Sequence, residues 1–304
     1  MPTSGFLART LLAMQVAVLP SGVSAAQSAT PPTPPPSGHE VKSPGNARWA
    51  PDVTSARTRA ATDKQLIYYE FISPGCGDCR RMQALLYPAF DFEALLIGMV
   101  PVQVELASPE GSKLAERYGI TAAPAVLITT ASGRLVFFVQ GFRTAPDFYS
   151  HVHKDLDTYR QFARTVDGVD VGKLSAEEAY STGKELYRRF DFEGAAARLE
   201  RASTAPGGSV DLREKALEGL AAAELELAQP GKASTAIDRL LAMTKNPERK
   251  QTAELFQAQI ALAEQDPGHA LAIYKKFEKD HPSSPYIEKV RGYISRLEAA
   301  APKS

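Results

Sequence analysis

Two apolar rhythms divide the chain. From Gln65 to about Val152, short apolar runs are bounded by turn residues; beyond Gly168, apolar positions recur at helical spacing to the end. In the first region, the runs at 65–71, 99–106, 125–129 and 135–139 predict four strands, the last two joined by Ala131-Ser132-Gly133-Arg134 as a hairpin turn. Leu85 and Leu86 follow Met82 at helical spacing, 112–118 reads as a helix closed by Gly119, and 146–162 as a closing helix with Pro146 in its first turn. Strand, helix, strand, helix, strand, strand, helix is the order of an α/β domain, a mixed sheet with helices on both faces.

The second region predicts an all-α domain. Residues 176–190 and 193–202 read as a helix pair with Asp191-Phe192 at the turn, and 286–299 as a last helix with a more polar outer face. Gly183, Ala195, Leu199 and Ala202 are spaced so that small residues let two helices approach and large ones fill the groove between pairs. A second unit is read with Ala236 and Leu240, and a third with Ala270, Tyr274, Phe277 and Pro282. The marker alanines at 195, 236 and 270 lie 41 and 34 residues apart, an irregular repeat.

The amino end differs from both. Arg9, an apolar run from Leu11 to Leu19 broken by Gln15, and then Val23-Ser24-Ala25 have the order of a secretory signal peptide over 1–25. That run is too short for a membrane span, and no later segment approaches one. Nine of the 22 prolines fall within the first 51 residues, so 26–51 is expected to be an extended, disordered spacer. Folded domains are then expected over 52–165 and 175–304, and the protein is expected to be exported, to the periplasm if the source is Gram-negative and otherwise secreted.

Composition removes some functions. The 304 residues carry 35 Lys plus Arg and 35 Asp plus Glu, and from Ser175 onward 19 against 20, so no basic surface argues for nucleic acid. Two cysteines exclude a disulfide-rich scaffold. Both lie in one place, Cys76-Gly77-Asp78-Cys79, after the strand breaker Ser73-Pro74-Gly75 and at the start of a predicted helix. There the free backbone N–H groups and the positive end of the helix dipole favour a thiolate, making Cys76 the candidate nucleophile and Cys79, one turn on, the resolving thiol. Asp78 places a like charge beside that thiolate and is expected to modulate the pair towards a less oxidising potential. A zinc site would need further ligands, and His151 and His153 fall on different faces of their predicted helix. A structural disulfide remains the other reading of the pair, since an exported chain meets an oxidising compartment.

From Gln65 to Val152 the chain resembles the thioredoxin fold: strand, C-x-x-C at a helix start, Tyr118-Gly119-Ile120-Thr121-Ala122-Ala123-Pro124, a hairpin, Gly141 and a final helix. The resemblance implies a thiol–disulfide oxidoreductase acting on protein thiols or disulfides and served by a redox partner protein, with no cofactor and no metal. It implies a cis bond before Pro124 and a substrate surface at Gly75, Ala123, Pro124 and Gly141. It also makes Glu70, six residues before Cys76, the proton relay for Cys79, a role that suits a carboxylate on an apolar strand. Two positions depart from the family: Gly75 replaces the usual aromatic, and Asp78 the usual proline between the cysteines. The helical half resembles tetratricopeptide repeats, which implies a protein or peptide partner. The two together resemble the chaperedoxin family, which combines redox protection with client holding, although its members lack a leader. The alternative is a scaffold or chaperone-like binding protein whose cysteine pair is structural or vestigial.

Overall fold

The computed structural model describes residues 49–88 and 90–300. The signal peptide read at 1–25 and all but the end of the spacer read at 26–51 lie outside the described residues. The rest divides into two compact units, one over 49–169 with 189–191, the other over 170–188 and 192–300.

The first unit opens with α1, Val53–Asp63, which the apolar pattern does not announce because its buried stripe is only Val53, Ala56 and Ala60. Asp52 caps it by accepting from the Ser55 N–H at 2.6 Å, and Lys64 ends it in the left-handed region. Then follow β1 (Leu66–Ile72), α2 (Gly77–Leu86), α3 (Phe90–Leu96) and β2 (Met99–Glu105). After them come α4 (Pro109–Tyr118), β3 (Ala125–Thr130), β4 (Leu135–Gln140) and α5 (Ala145–Val166). Helix α4 starts three residues before the apolar pattern does, because Ser108 accepts from the Gly111 N–H at 3.0 Å and Pro109 suits a first turn.

Sheet order is β2-β1-β3-β4, with β1 and β2 parallel and the other neighbours antiparallel. The parallel pair needs a crossover, and α2 with α3 supplies it. Side chains alternate between two cores. Ile67, Tyr69 and Phe71 of β1 face α1 and α4, while Tyr68 joins Met82, Phe92, Phe148 and Val152 from α2, α3 and α5. Tyr68, Phe71, Phe92 and Phe148 are fully buried, each phenylalanine contributing about 1.5–3 kcal/mol through area removed from water.

The second unit is helical: α6 (Ala176–Arg188), α7 (Phe192–Thr204), α8 (Val210–Glu226), α9 (Pro230–Met243), α10 (Pro247–Ala263), α11 (Pro267–Asp280) and α12 (Ile287–Ala300). Three of the turns that join these helices share one backbone device. Phe190, Ala228 and Gln265 have φ of 63°, 54° and 63°, each two residues before the start of α7, α9 or α11. The intervals, 228 − 190 = 38 and 265 − 228 = 37, are nearly regular. This register replaces the one expected from the alanines. Counting from the turns, Ala195 corresponds to Ala233 and Ala270, so Ala233 and not Ala236 is the second marker. Likewise Leu199 corresponds to Ile237 and Tyr274, and Gly183 to Ala221 and Ala258, all buried. Ala236 is buried too, on a neighbouring turn of α9, which is why the pattern alone does not separate them. A small residue is needed at Gly183: a Cβ there would come within 3.0 Å of Leu199 Cγ and 3.1 Å of Arg198 Cβ.

Candidate active site

Three chain segments meet at one end of the sheet. β1 runs up to Ile72 and leads to the cysteines; β3, antiparallel to it, begins there with Ala125 opposite Phe71; and Gln140, the last residue of β4, is opposite Ala125. The cysteine loop, the 121–124 loop and Gly141 are therefore neighbours by topology.

Cys76 is the N-cap of α2, with extended backbone, and its Sγ accepts from the Cys79 N–H at 3.0 Å. The two cysteines are joined in a disulfide, with Cys76 half-buried and Cys79 only 4% exposed. Gly75 has φ of +73°, in the left-handed region, where a side chain costs about 1 kcal/mol or more. No atom stands where its Cβ would go, so the backbone and not space calls for glycine in place of an aromatic. Asp78 lies exposed in the first turn of α2.

Across from the cysteines, the Ala123–Pro124 peptide bond is cis and Pro124 is buried. Its carbonyl accepts from the Gly141 N–H at 2.8 Å. Gln140 holds this loop: its Oε1 accepts from the N–H of Thr121 at 2.8 Å and of Ala122 at 3.3 Å, and its Nε2 donates to Thr121 Oγ1 at 2.9 Å. Ala123, between these anchors, is half-buried.

Glu70 is 5% exposed, on the face of β1 that α2 covers. Gln83 Nε2 donates to its Oε1 at 3.1 Å, and Gln103 Nε2 to its Oε2 at 2.9 Å, with the Tyr87 hydroxyl donating to the same Oε2. Burial pushes the Glu70 carboxyl above the ordinary carboxylate range, and the bonds from Tyr87, Gln103 and Gln83 pull it partly back. All three donors are uncharged, and the Tyr87 hydroxyl can accept as well as donate, so the protonated acid also finds a partner. Cys79, Gln83 and Tyr87 recur every fourth residue on one face of α2, which ties the acid to the helix that carries the thiols.

The donor set leaves an uneven trace in the sequence: Gln83 and Tyr87 are marked by their spacing from Cys79, whereas Gln103 is marked only by the register that sets it opposite Glu70. The hold of Gln140 on the 121–124 loop was equally unmarked. Among the described residues no group of three His, Cys, Asp or Glu is placed to hold a metal ion, and no helix is long and apolar enough to cross a membrane.

Comparison with known proteins places this geometry in a class. Residues 53–154 match the thioredoxin-like domain family, about a third of the chain. The protein thus contains a thioredoxin-like domain with a C-x-x-C pair, followed by an all-helical region. Among solved structures, a thioredoxin from Thermus thermophilus is 23% identical, covering 36% of this chain and 85% of its own, with a TM-score of 0.32. The DsbH oxidoreductase is 17% identical over 45% and 95%, TM-score 0.32. The oxidised C-terminal domain of Neisseria meningitidis DsbD is 19% identical over 36% and 90%, TM-score 0.28. No curated protein matches the chain.

Proposed function

We propose that the protein is a thiol–disulfide oxidoreductase acting on protein substrates. The observation that carries this reading is the asymmetric pair: a half-buried Cys76 at a helix start and a buried Cys79 whose helix is tied to a buried, uncharged-donor-bound Glu70. In the reducing direction, the Cys76 thiolate attacks one sulfur of a substrate disulfide and expels the other as a thiolate. Cys79 then loses its proton to Glu70 and attacks Cys76 Sγ, closing the Cys76–Cys79 disulfide and releasing the second substrate sulfur. Two electrons pass to the substrate, and the Glu70 proton goes to a departing thiolate. Run backwards, the same steps oxidise a substrate dithiol. Gly75, Ala123, Pro124 and Gly141 form the surface that receives the substrate backbone, and Asp78 tunes the potential. A ring closed over two intervening residues stabilises the fold little, which weighs against a purely structural bridge.

The helical region is read as tetratricopeptide-like repeats that hold a client or partner protein, in the manner of a chaperedoxin. The near-equal intervals between the three turns and the small buried residues Gly183, Ala221 and Ala258 support that reading. With the leader at 1–25, the spacer at 26–51 and domains at 52–165 and 175–304, the chain is read as exported, and as periplasmic in a Gram-negative cell. An insulin disulfide-reduction assay on wild type, Cys76→Ser and Cys79→Ser tests the activity. Turnover should be lost in both variants, and Cys79→Ser should trap mixed disulfides with clients; equal, negligible turnover in all three overturns the enzyme reading and leaves a binding protein.

A further inference from the structure

Between α7, the end of α8 and α9 lies a cavity of about 560 Å³, well within the range of small-ligand sites. Its wall is apolar at Ala196, Ala197, Leu220, Leu227 and Ala236, and carboxylates stand at Glu193, Glu200 and Glu224. Arg239 neutralises Glu200 at 2.7 Å and also donates to Ser203 Oγ at 2.7 Å. Glu224 is different. It is 7% exposed, and its Oε2, out of reach of solvent, meets no donor among the described residues. Lys232 stands on the same wall, exposed, and no ion pair joins it to Glu224.

The repeat register shows how unusual that residue is. Four residues before the left-handed turn, the other two helix pairs carry Leu186 and Ala261, both buried and apolar, where the middle pair carries Glu224. Packing at this position therefore needs no carboxylate, and a buried one without a donor is unfavourable to keep. Burial holds the Glu224 carboxyl above its ordinary range, with Lys232 drawing it down and Glu200 pushing it up.

We propose that this cavity binds an alkylammonium group, with the stem on the apolar wall and the ammonium head donating to Glu224. A cation is favoured because three carboxylates face two basic side chains here and one of those, Arg239, is already engaged. The stem fits a wall of alanine and leucine, which offers nothing to a compact inorganic cation. Such a group arrives either on a free diamine or on a lysine side chain of a partner protein.

Calorimetric titration of the full chain decides. Cadaverine should bind, and its neutral isostere 1,5-pentanediol should not. Glu224→Gln should weaken cadaverine at least tenfold, and Ala197→Leu, at an exposed helix position on the cavity wall, should weaken it comparably without disturbing the fold. Nα-acetyl-lysine methylamide separates the sources: tighter binding than cadaverine assigns the site to a protein lysine, weaker binding to a free diamine. No heat with either amine, or unchanged affinity in Ala197→Leu and in a folded Glu224→Gln, overturns the proposal. Should Glu224→Gln fail to fold, Ala197→Leu alone decides.

Discussion

Glu70 in one unit and the pair Glu214 and Glu218 in the other are buried carboxylates met with opposite chemistry. In the thioredoxin-like unit Glu70 receives hydrogen bonds only from the amides of Gln83 and Gln103 and the phenol of Tyr87. In the helical unit, buried Glu214 and Glu218 share one guanidinium: Arg249 lies 2.8 Å from each and 2.6 Å from Asp211. Burial works to lower the Arg249 pKa, but the pull of Glu218 and Asp211 outweighs it and holds the guanidinium above its ordinary value. The guanidinium pairs charge with charge across two helices, whereas Glu70, held by neutral donors and lifted by burial above its ordinary range, is a group able to carry a proton.

The largest test breaks the fixed side. Arg249→Met leaves Glu214 and Glu218 buried without their cation and should destabilise the helical unit by about 3 kcal/mol, the low end for a broken buried pair because the Asp211 arm is exposed. Urea unfolding followed by circular dichroism should show the loss, while insulin reduction at low denaturant is unchanged. If the variant is as stable as the wild type, the ion cluster does not hold the helices and the contrast fails.

Glu70→Gln tests the other side, and its effect falls on rate. Removing a proton carrier should slow resolution by Cys79 about 10²-fold, seen as longer-lived mixed disulfide, and flatten the pH dependence of that step. Stability should move the other way. The folded pKa of Glu70 lies above its unfolded value, so its contribution is fully present below about pH 4.5 and is lost as pH rises through the raised value. Relative to wild type, Glu70→Gln should gain stability at pH 7–8 and gain none at pH 4. A variant equally slow at every pH, with no gain in stability at pH 8, would make Glu70 a packing residue only.

Tyr87→Phe sharpens the same point. It removes one of the bonds that draw the Glu70 pKa down, so the resolving-step profile should shift to higher pH, with rate at the optimum little changed. An unmoved profile would place Tyr87 outside the proton path.

These residues also mark how far sequence alone reaches. The strands, the cysteine helix and the helical half follow from period and punctuation, because apolar runs ending at Ser73-Pro74-Gly75 or Gly119 leave few alternatives. Helix α1 escapes because its buried stripe is only Val53, Ala56 and Ala60, too slight an apolar signal to stand out in the sequence. Cys76, Cys79 and Glu70 are visible as residue types at fixed spacing; Gln103 and Gln140 are not, since their roles depend on strand register and loop approach. The spacing of the turns in the helical half shows the same limit. Two alanines one turn apart on α9 are equally apolar, and only the backbone of the turn says which one is equivalent to Ala195.

The smallest effect concerns charge outside both buried sites. Asp78 is exposed in the first turn of α2, beside Cys76. A like charge there disfavours the thiolate, destabilising the reduced pair and making it the stronger reductant. Asp78→Asn should raise the reduction potential by about 10–20 mV, the scale of one exposed charge pair. Because solvent and ions screen it, the shift should shrink between 20 mM and 500 mM salt, whereas the Glu70→Gln phenotype, set in a dry site, should not. Equilibration with glutathione at both salts measures the potential, and the mixed-disulfide lifetime at both salts measures the Glu70→Gln effect. A lower potential in Asp78→Asn would mean that the aspartate acts through the geometry of the helix start and not through its charge, and the division between buried proton carrier and surface modulator would have to be redrawn.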